Sequence, residues 1–343
     1  MKIYMPSRII DRHVGGNTTY ARRLASGLVS RGYDIARIPA GRHPALTMVS
    51  ESMFGLLPKA GSSVLHYVAD TGPLLRQRMP TVVTVHGVAS NRISGVRNPR
   101  AETIWRARVG RAIASTDEVI TVSESSAQDI VDVFGVERDR INVIRHGMET
   151  HLFSTPQRLS DQMTAKIPRE FVLYLGNIEP RKNVDNLVAA FSTPEVSALG
   201  VPLVIAGKPA WDADDTMKKI EAAANIIYLG FVSDEDRVAL MQQAQVFAFP
   251  SRYEGFGFPV LEALAAGSVV ITSRAGSLAE VAGPSLVFDS LDVDGVAHGI
   301  VRALTDTVSR HRVEREGLAW AESFSWEASI TAHESVYNRA NIR

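Results

Sequence analysis

Short apolar runs alternate along the chain with longer stretches in which apolar residues recur every three or four positions. The first pair is KIYM, residues 2–5, which is typical of a buried strand, and TTYARRLASGLVSRG, residues 18–32. In the second stretch Tyr20, Leu24 and Leu28 fall on one face of a helix, and Gly32 lies where that helix should end. The repeated alternation predicts parallel sheets built from strand–helix–strand units.

The alternation forms two series. In the first half, strands are predicted at 34–38, 63–68, 81–86, 118–123 and 141–147, with a helix at 124–135 that Ser123 caps and Gly135 ends. Residues 148–168 are polar, contain two prolines and are predicted to be a linker. The second series of strands is predicted at 171–176, 202–207, 225–232, 246–251 and 268–272.

Two such series predict an α/β fold with two doubly wound domains. We expect an N-terminal domain at 1–155, a second domain at 156–325 and a C-terminal helix at 326–343 that packs back on the first domain. Ligands of such sheets bind beyond the carboxyl ends of the strands. With two domains, the cleft between them is the expected site.

Composition narrows the class of protein. The 343 residues are 45% apolar and 22% charged, which is typical of a globular protein of two domains. The absence of cysteine excludes disulfides, thiolate chemistry and cysteine-ligated metals. The first residues lack the apolar core of a signal peptide, and no apolar run is long enough to span a bilayer. We therefore expect a cytoplasmic protein.

The net charge of zero hides an asymmetry between the halves. Residues 1–155 have an excess of seven basic residues and 156–343 an excess of seven acidic residues. The basic residues include Arg92, Arg97, Arg100, Arg106, Arg108 and Arg111. Two interpretations stay open: a surface that meets anionic lipid headgroups or a phosphorylated acceptor, and a solvated face with no partner. Nucleic acid is not expected, since no aromatic-rich basic motif is present.

Two carboxylates flank a Gly-Phe-Gly turn in RYEGFGFPVLEALAAG, residues 252–267. Pro259 suits the first residue of a helix, which places Glu262 in about the first turn of that helix and Glu254 in the loop before it. A helix start preceded by glycines suits phosphate, Glu262 can accept hydrogen bonds from a ribose diol, and Glu254 can meet a sugar or a developing positive charge. Alternatively, Glu262 only favours the helix dipole and Glu254 is a solvated acid. The occurrence of both carboxylates in one segment between two predicted strands favours the functional interpretation.

Another loop, GNIEPRKNVDNL at 176–187, also follows a predicted strand. Arg181 and Lys182 stand there before a helix and suit a diphosphate, with arginine as a fork and lysine as a point charge. Such pairs are also common as solvated surface residues. Their place at the carboxyl end of a strand favours the functional interpretation.

The first domain offers weaker candidates. Gly15 and Gly16 follow the first strand and can bring backbone amides to a phosphate or sugar, but the third glycine of a dinucleotide fingerprint is missing. His86 ends a strand and can hydrogen-bond a sugar hydroxyl or the reacting centre. An isolated histidine is more often structural, and that is our interpretation of His66.

In their order along the chain, these motifs resemble those of the family 4 retaining glycosyltransferases. They are Gly15–Gly16, His86, YLGNIEPRKN at 174–183 and SRYEGFGFPVLEALAAG at 251–267. The resemblance covers nearly the whole chain and is strongest at 171–282. It implies the GT-B architecture, in which two Rossmann-like domains face a cleft, and the transfer of a hexose from a nucleotide-sugar donor bound to the C-terminal domain. It implies no metal, because cations and helix termini replace it.

The resemblance also implies roles for particular residues. Glu254, His86 and Lys182 would be catalytic. The implied donor-binding residues are Gly15, Gly16, Asn177, Arg181, Lys182, Phe231, Val232, Phe256, Gly257, Phe258 and Glu262. Among them, Glu262 would hold the ribose, Arg181 and Lys182 the diphosphate, and Phe231 and Val232 would lie near the base. Asn177 departs from the family, since many members carry Arg or Lys there.

The form EPRKN, residues 179–183, is similar to that of bacterial O-antigen mannosyltransferases. This likeness implies GDP-mannose as the donor, and a glycan or lipid-linked saccharide as the acceptor in surface polysaccharide synthesis of the O-antigen type. The basic N-terminal half favours a lipid-linked, phosphate-bearing acceptor and peripheral contact with the anionic inner membrane face. Three alternatives stay open: a UDP-sugar donor, a nucleotide-sugar 2-epimerase of the same architecture, and an inactive sugar-nucleotide sensor.

Overall fold

The computed structural model describes residues 1–11, 16–57, 61–91, 93 and 99–342. Its internal contacts divide the chain into two compact units, each with its own sheet. Unit 1 is Met1–Gly147 together with Ser325–Arg343, and unit 2 is Met148–Phe324. Among the described residues, no helix combines the length and the apolar character needed to cross a bilayer.

Unit 1 contains a parallel six-stranded sheet in the order β2-β1-β3-β4-β5-β6. Its strands are β1 (Lys2–Pro6), β2 (Asp34–Ile38), β3 (Ser63–Tyr67), β4 (Thr81–Val85), β5 (Glu118–Thr121) and β6 (Ile141–Val143). Its helices up to β6 are α1 (Ser7–Ile10), α2 (Gly16–Ser30), α3 (Pro44–Met53), α4 (Pro99–Ser115) and α5 (Glu124–Phe134). Strands β3 to β5 are buried along their whole length, as expected for apolar runs in a sheet that is covered on both faces.

Unit 2 contains a second parallel six-stranded sheet, in the order β12-β11-β10-β7-β8-β9. Its strands are β7 (Val172–Leu175), β8 (Leu203–Ala206), β9 (Ile226–Gly230), β10 (Val246–Phe249), β11 (Val270–Thr272) and β12 (Leu286–Val287). Its helices are α6 (Thr150–Ser154), α7 (Asp161–Thr164), α8 (Val184–Phe191), α9 (Pro194–Ser197), α10 (Asp214–Ala222), α11 (Asp234–Gln243), α12 (Phe258–Ala265), α13 (Leu278–Val281), α14 (Val293–Thr305) and α15 (Thr307–Glu322). The predicted α/β, doubly wound fold class is confirmed.

The stretch 148–168 is part of unit 2, and the contacts place the division of the chain at Gly147–Met148 rather than at residue 155. Helices α6 and α7 lie in this stretch. Phe153 is buried, and the Gln242 side chain donates a hydrogen bond to its carbonyl oxygen at 2.6 Å. Asp236 accepts hydrogen bonds from the backbone N–H and the hydroxyl of Ser160. These contacts are made across the sequence, so the polar composition of the stretch did not reveal them.

The C-terminal helical region is divided between the units. Helix α15 ends in unit 2, and helix α16 (Trp326–Ile342) belongs to unit 1, where it packs on α2, β3 and β4. Ile330, Val336 and Tyr337 bury its apolar face in the core of unit 1. The break between the two helices falls at residues 323–325.

Candidate functional site

The order of the strands of unit 2 reverses at β7. This strand pairs with β8 on one side and with β10 on the other, so the connections after β7 and after β10 lead away in opposite directions. Ligands of open α/β sheets bind at such a switch point, beyond the carboxyl ends of the strands. The loops at 176–183 and 250–257, which contain the two predicted motifs, both leave the sheet there.

An ion cluster, formed by Glu179, Arg181, Lys182, Ser251 and Glu254, joins these two loops. One Glu254 oxygen, Oε1, accepts hydrogen bonds from Lys182 Nζ and Ser251 Oγ, each at 2.6 Å. The other, Oε2, accepts a hydrogen bond from Arg181 Nη1 at 3.0 Å. Glu254 is 7% exposed, so its charge is neutralised within the protein rather than by water. The structure thus brings three of the predicted site residues together.

The two cations of the ion cluster, Arg181 and Lys182, differ in how many of their N–H donors remain available to a ligand. Arg181 donates from Nε to Glu179 at 2.9 Å and from Nη1 to the Tyr253 carbonyl at 2.9 Å, in addition to its bond with Glu254. Lys182 donates to Glu254 and lies 4.8 Å from the centre of the Phe249 ring. An ammonium group has three donors, so Lys182 can accept a further anionic ligand while Arg181 is held by its protein partners.

The pKa values in the ion cluster reflect burial opposed by charge. Burial alone would raise the pKa of Glu254, but Lys182 and Arg181 outweigh it and hold that pKa below its usual value. Burial lowers the pKa of Lys182, and Glu254 offsets part of this effect. Each group therefore supplies the counter-charge of the other, and this mutual attraction favours the ionised form of both.

The loop that carries Glu254 is fixed by contacts with residues 276–278. The Ser277 hydroxyl donates to the Phe256 carbonyl oxygen at 2.6 Å, and the Ser277 backbone N–H donates to the Glu254 carbonyl oxygen at 3.1 Å. Gly276 has a φ of 62°, and a Cβ there would lie 2.6 Å from the Glu254 carbonyl oxygen, so a larger residue would displace this loop. Gly257, with a φ of 106°, immediately precedes α12. The helix begins at Phe258, one residue before the predicted start, and Pro259 lies in its first turn.

Glu262 lies on α12, and its side chain is 13% exposed. Its Oε2 accepts a hydrogen bond from Arg237 Nη1 at 2.9 Å, and the Arg237 guanidinium lies 5.1 Å from the centre of the Phe153 ring. Burial raises the pKa of Glu262, and Arg237 opposes the rise. The role of Arg237 could not be predicted from the sequence, because nothing in DEDRVAL, residues 234–240, distinguishes it from other charged helix residues.

The remaining candidates of unit 2 follow β9, follow β7, or lie at the Gly-Phe-Gly turn. Phe231, after β9, is 67% exposed, with Lys208 Nζ 4.5 Å from its ring centre, whereas the side chain of Val232 is buried. Asn177 follows β7 and is exposed. Phe256 is buried, and its ring meets that of Phe258 edge to face at 4.9 Å. The exposed ring of Phe231 could stack on a nucleobase, whereas the buried side chain of Val232 could not.

In unit 1, His86 lies at the end of β4. Its backbone N–H donates to Asp70 at 2.8 Å. The ring Nε2 lies 3.2 Å from the Val68 carbonyl, and because a carbonyl only accepts, Nε2 carries the proton and Nδ1 is the accepting nitrogen of the neutral ring. Burial lowers the pKa of His86, with Asp70 opposing. Gly15 lies outside the described residues, and a Cβ on Gly16 would meet no atom within 4 Å.

A histidine network, formed by Tyr20, His66, Thr84, His333 and Tyr337, lies in the core of unit 1. His66 Nδ1 is 2.7 Å from the Tyr337 hydroxyl, and His66 Nε2 is 2.8 Å from Thr84 Oγ1. The Tyr20 hydroxyl is 3.0 Å from Thr84 Oγ1 and 2.7 Å from His333 Nε2. The structural interpretation of His66 is confirmed, because the residue is fully buried and both of its ring nitrogens are paired.

The direction of every hydrogen bond in the histidine network follows from one carbonyl group. His333 Nδ1 is 2.7 Å from the Ser329 carbonyl, so this nitrogen donates, and His333 Nε2 accepts the Tyr20 proton. The Tyr20 oxygen then accepts from Thr84, and Thr84 accepts from His66 Nε2. His66 Nδ1 in turn accepts the Tyr337 proton. With neutral histidines, each group therefore has a partner of the correct type.

Among the described residues, no group of three or more histidine, aspartate or glutamate side chains is arranged to hold a metal ion. The charged groups at the switch point of unit 2 are instead those of the ion cluster. In this site, the ammonium group of Lys182 could bind an anion. The carboxylate of Glu254 could stabilise a positively charged centre.

Comparison with protein families matches both units. The model "Glycosyltransferase Family 4" matches residues 56–152, and the model "Glycosyl transferases group 1" matches residues 158–320. The chain therefore belongs to the glycosyltransferases that these two models describe, and its two doubly wound sheets are those of the GT-B fold.

Particular relatives and structures are similar to parts or all of the chain. O-antigen chain mannosyltransferase B of Escherichia coli is 33% identical over 240 residues, which cover 66% of this chain and 61% of that protein. Serotype-specific mannosyltransferase WbdA of Escherichia coli is 30% identical over 231 residues, which cover 64% of this chain and 28% of that protein. The chain therefore spans less than two thirds of the length of these relatives. Sucrose-phosphate synthase from Thermosynechococcus elongatus has a similar fold, with a TM-score of 0.76, 19% identity and 98% of each chain covered.

Proposed function

We propose that the protein is a retaining hexosyltransferase that transfers mannose from GDP-mannose to a glycan or lipid-linked saccharide during the synthesis of a surface polysaccharide of the O-antigen type. The observation that carries this proposal is the ion cluster at the switch point of unit 2, where a buried carboxylate adjoins a lysine with unused donors. The similarity to two mannosyltransferases supports the sugar, and the form EPRKN supports the base.

The two cations have different roles in this proposal. Lys182 binds the diphosphate of the donor and stabilises the negative charge that develops on the leaving nucleoside diphosphate. Arg181 is a positioning residue, because its guanidinium is held by Glu179 and the Tyr253 carbonyl and in turn orients Glu254. The amides near Phe256, Gly257 and Phe258, at the start of α12, add the positive end of a helix dipole.

Glu254 faces the sugar and stabilises the positive charge that its anomeric carbon gains as the bond to phosphate lengthens. A double displacement would require Glu254 to attack that carbon. Both of its oxygen atoms already accept charge-assisted hydrogen bonds, which lower the nucleophilicity of a carboxylate. We therefore favour attack by the acceptor on the same face, with the leaving phosphate taking the proton of the acceptor hydroxyl.

The other predicted residues complete the proposed site. Glu262 accepts hydrogen bonds from the ribose, with Arg237 fixing its orientation. Phe231 stacks on the base, and Val232 supports Phe231 from within the unit. Asn177, exposed after β7, contacts the diphosphate as a neutral donor. For unit 1, the proposal keeps the predicted role of His86, Gly15 and Gly16 toward the reacting sugar or the acceptor.

A panel of nucleotide sugars tests the donor. We expect GDP-mannose and GDP to raise the melting temperature of the protein, and UDP-glucose and UDP-galactose to leave it unchanged. The Lys182→Ala variant should lose the shift for GDP. A shift with UDP-sugars alone would replace GDP-mannose by the UDP donor, and no shift with any of them would contradict the enzyme interpretation.

Turnover distinguishes the remaining alternatives. Labelled GDP-mannose should transfer its sugar to saccharide or lipid-linked acceptors, and the anomeric configuration of the product, measured by NMR, should match that of the donor. An epimerase would convert the donor without an acceptor. A sensor would bind the donor and convert nothing.

A further inference from the structure

Helix α3 carries its apolar residues on the outside of unit 1. Leu46, Val49 and Met53 are spaced so that they share one face of the helix, and they are 54%, 50% and 58% exposed. Leu57 follows the helix and is 74% exposed, and Leu75, in a neighbouring segment, is 46% exposed. We name these five residues the apolar face. A surface helix of a globular protein normally turns such a face inward.

Buried polar contacts hold α3 in this orientation. Glu51 is 2% exposed, and Arg8 Nε donates to its carboxylate at 2.6 Å. The Tyr67 hydroxyl donates to the Glu51 carbonyl at 2.8 Å, and Ser52 Oγ accepts the Leu74 N–H at 2.9 Å. Rotating the helix to bury its apolar residues would break these bonds and expose an ion pair. The exposed apolar face is therefore fixed by the fold.

Arginines lie at both ends of the apolar face. Arg42 precedes α3, and the backbone N–H of Arg78 donates to the Gly55 carbonyl just beyond the helix. Both side chains are exposed, and neither is in an ion pair with any residue that the structure describes. Glu51 is the one acidic residue at 42–57, and it is buried and paired with Arg8. The exposed charges of Arg42 and Arg78, at the two ends of the apolar face, are thus positive.

The arginine-rich stretch at 92–111 makes internal contacts that use part of its positive charge. Arg106 pairs with Glu102 at 2.5 Å, and Arg111 donates to the Leu74 carbonyl at 2.6 Å. Arg92 and Arg97 lie outside the described residues. Internal contacts therefore use part of the positive charge of α4, while the charge beside α3 is exposed.

We propose that the apolar face of α3 docks on a lipid bilayer that contains anionic headgroups. The five apolar side chains would enter the boundary between headgroups and acyl chains, and Arg42 and Arg78 would meet headgroup phosphates. A second copy of the chain fits less well, because a twofold contact would place arginines only against arginines. The choice of a membrane rests on the proposed function, in the form in which the acceptor is a lipid-linked saccharide.

Co-sedimentation with vesicles tests this surface on the full chain. The variant Leu46→Gln/Val49→Gln/Met53→Gln keeps good helix formers at exposed positions. Its matched control, Val29→Gln/Leu152→Gln/Val308→Gln, changes three other exposed apolar residues on three separate helices. Vesicles are phosphatidylcholine alone or phosphatidylcholine with phosphatidylglycerol.

We expect the wild type and the control to sediment with the phosphatidylglycerol vesicles. The α3 variant should need at least a tenfold higher lipid concentration, and Arg42→Gln/Arg78→Gln should lose the preference for anionic lipid. Sedimentation of the α3 variant at the wild-type lipid concentration would overturn the proposal, as would a wild type that binds neither vesicle. A wild-type dimer that the α3 variant converts to a monomer, seen by light scattering, would assign the face to a second copy instead.

The outcome is separable from the proposed function. The thermal shift with GDP-mannose should be the same in the α3 variant and in the wild type, because α3 lies in unit 1 and the proposed donor residues of the ion cluster lie in unit 2. Loss of vesicle binding with an unchanged shift supports the docking surface. A missing shift in both proteins would contradict the donor assignment and leave the vesicle result standing.

Discussion

The two units each bury a polar cluster, but the clusters differ in charge and in completeness. The ion cluster of unit 2 holds carboxylates against an arginine and a lysine, and the lysine has donors to spare. The histidine network of unit 1 is neutral, and each of its ring nitrogens and hydroxyls has a partner within the network or with Ser329. A cluster with unused capacity can bind a ligand, whereas a fully paired one fixes packing. The unused donors of Lys182 agree with the donor site proposed in unit 2, whereas the histidine network anchors α16 in unit 1.

The largest expected effect is that of Glu254→Gln. The change keeps the shape of the side chain but removes the negative charge that would stabilise a positive anomeric carbon. We expect turnover with GDP-mannose to fall about 100- to 1,000-fold, while donor affinity changes by less than about tenfold. Steady-state kinetics and the thermal shift with GDP measure the two quantities separately.

Glu179→Gln is the matched control for this change. It also removes one carboxylate from Arg181, but the Glu179 carboxylate is bonded to Arg181, whereas that of Glu254 is bonded to Lys182 and Ser251 as well. Its turnover should fall much less than that of Glu254→Gln. Equal losses in the two variants would mean that Glu254 acts only by holding Arg181.

Acid should act on the two clusters in different pH ranges. Burial lowers the pKa of His333 to about 4 and that of His66 well below 6.5. Burial also lowers the pKa of His146, a buried residue whose ring lies 4.8 Å from that of Tyr20, well below 6.5. Between pH 6.5 and 4 the unfolded state therefore binds more protons than the folded state, so stability falls as the pH falls, by about 3 kcal/mol for His333 alone. Glu254 has a lowered pKa, so its contribution is present above its ordinary value near 4.5 and is lost below it.

Urea unfolding between pH 7.5 and 4.5 checks this range. The wild type should lose stability steadily, and His333→Gln, which cannot titrate at that position, should start less stable but change less with pH. A variant with the same slope as the wild type would show that His333 is not the source of the pH dependence.

The two clusters also differ in how far the sequence predicts them. The Gly-Phe-Gly turn, Pro259 and the Arg181–Lys182 pair are local signals at strand ends, so both loops of the ion cluster could be predicted. The histidine network forms only because α16 packs on β3. No local sequence pattern predicts that Tyr337 of α16 bonds to His66. Helix α3 contradicts the usual rule of an inward apolar face, because buried bonds from Arg8 and Tyr67 fix it. Long-range pairing of polar groups is what local patterns do not contain.

Tyr20→Phe tests the histidine network with a smaller expected effect. Removing the hydroxyl leaves His333 Nε2 without its donor and Thr84 without its acceptor in a buried environment. We expect a loss of about 2 kcal/mol in the free energy of unfolding. Tyr228→Phe is the control, because the Tyr228 hydroxyl makes one hydrogen bond, to the Gly207 carbonyl, at a partly exposed position. Equal losses would mean that the network adds nothing beyond ordinary hydrogen bonds.

Glu262→Gln should have the smallest effect, about tenfold on donor affinity, which is about 1.4 kcal/mol. If Glu262 accepts hydrogen bonds from the ribose diol, the wild type should bind GDP more tightly than 2′,3′-dideoxy-GDP, and the variant should bind the two alike. Asp234→Asn is the matched control, since Asp234 also lies near Arg237, at 3.5 Å, but is 91% exposed. Its preference for GDP should equal that of the wild type. If Glu262→Gln keeps the full preference for GDP over 2′,3′-dideoxy-GDP, Glu262 only pairs with Arg237, and another residue recognises the ribose.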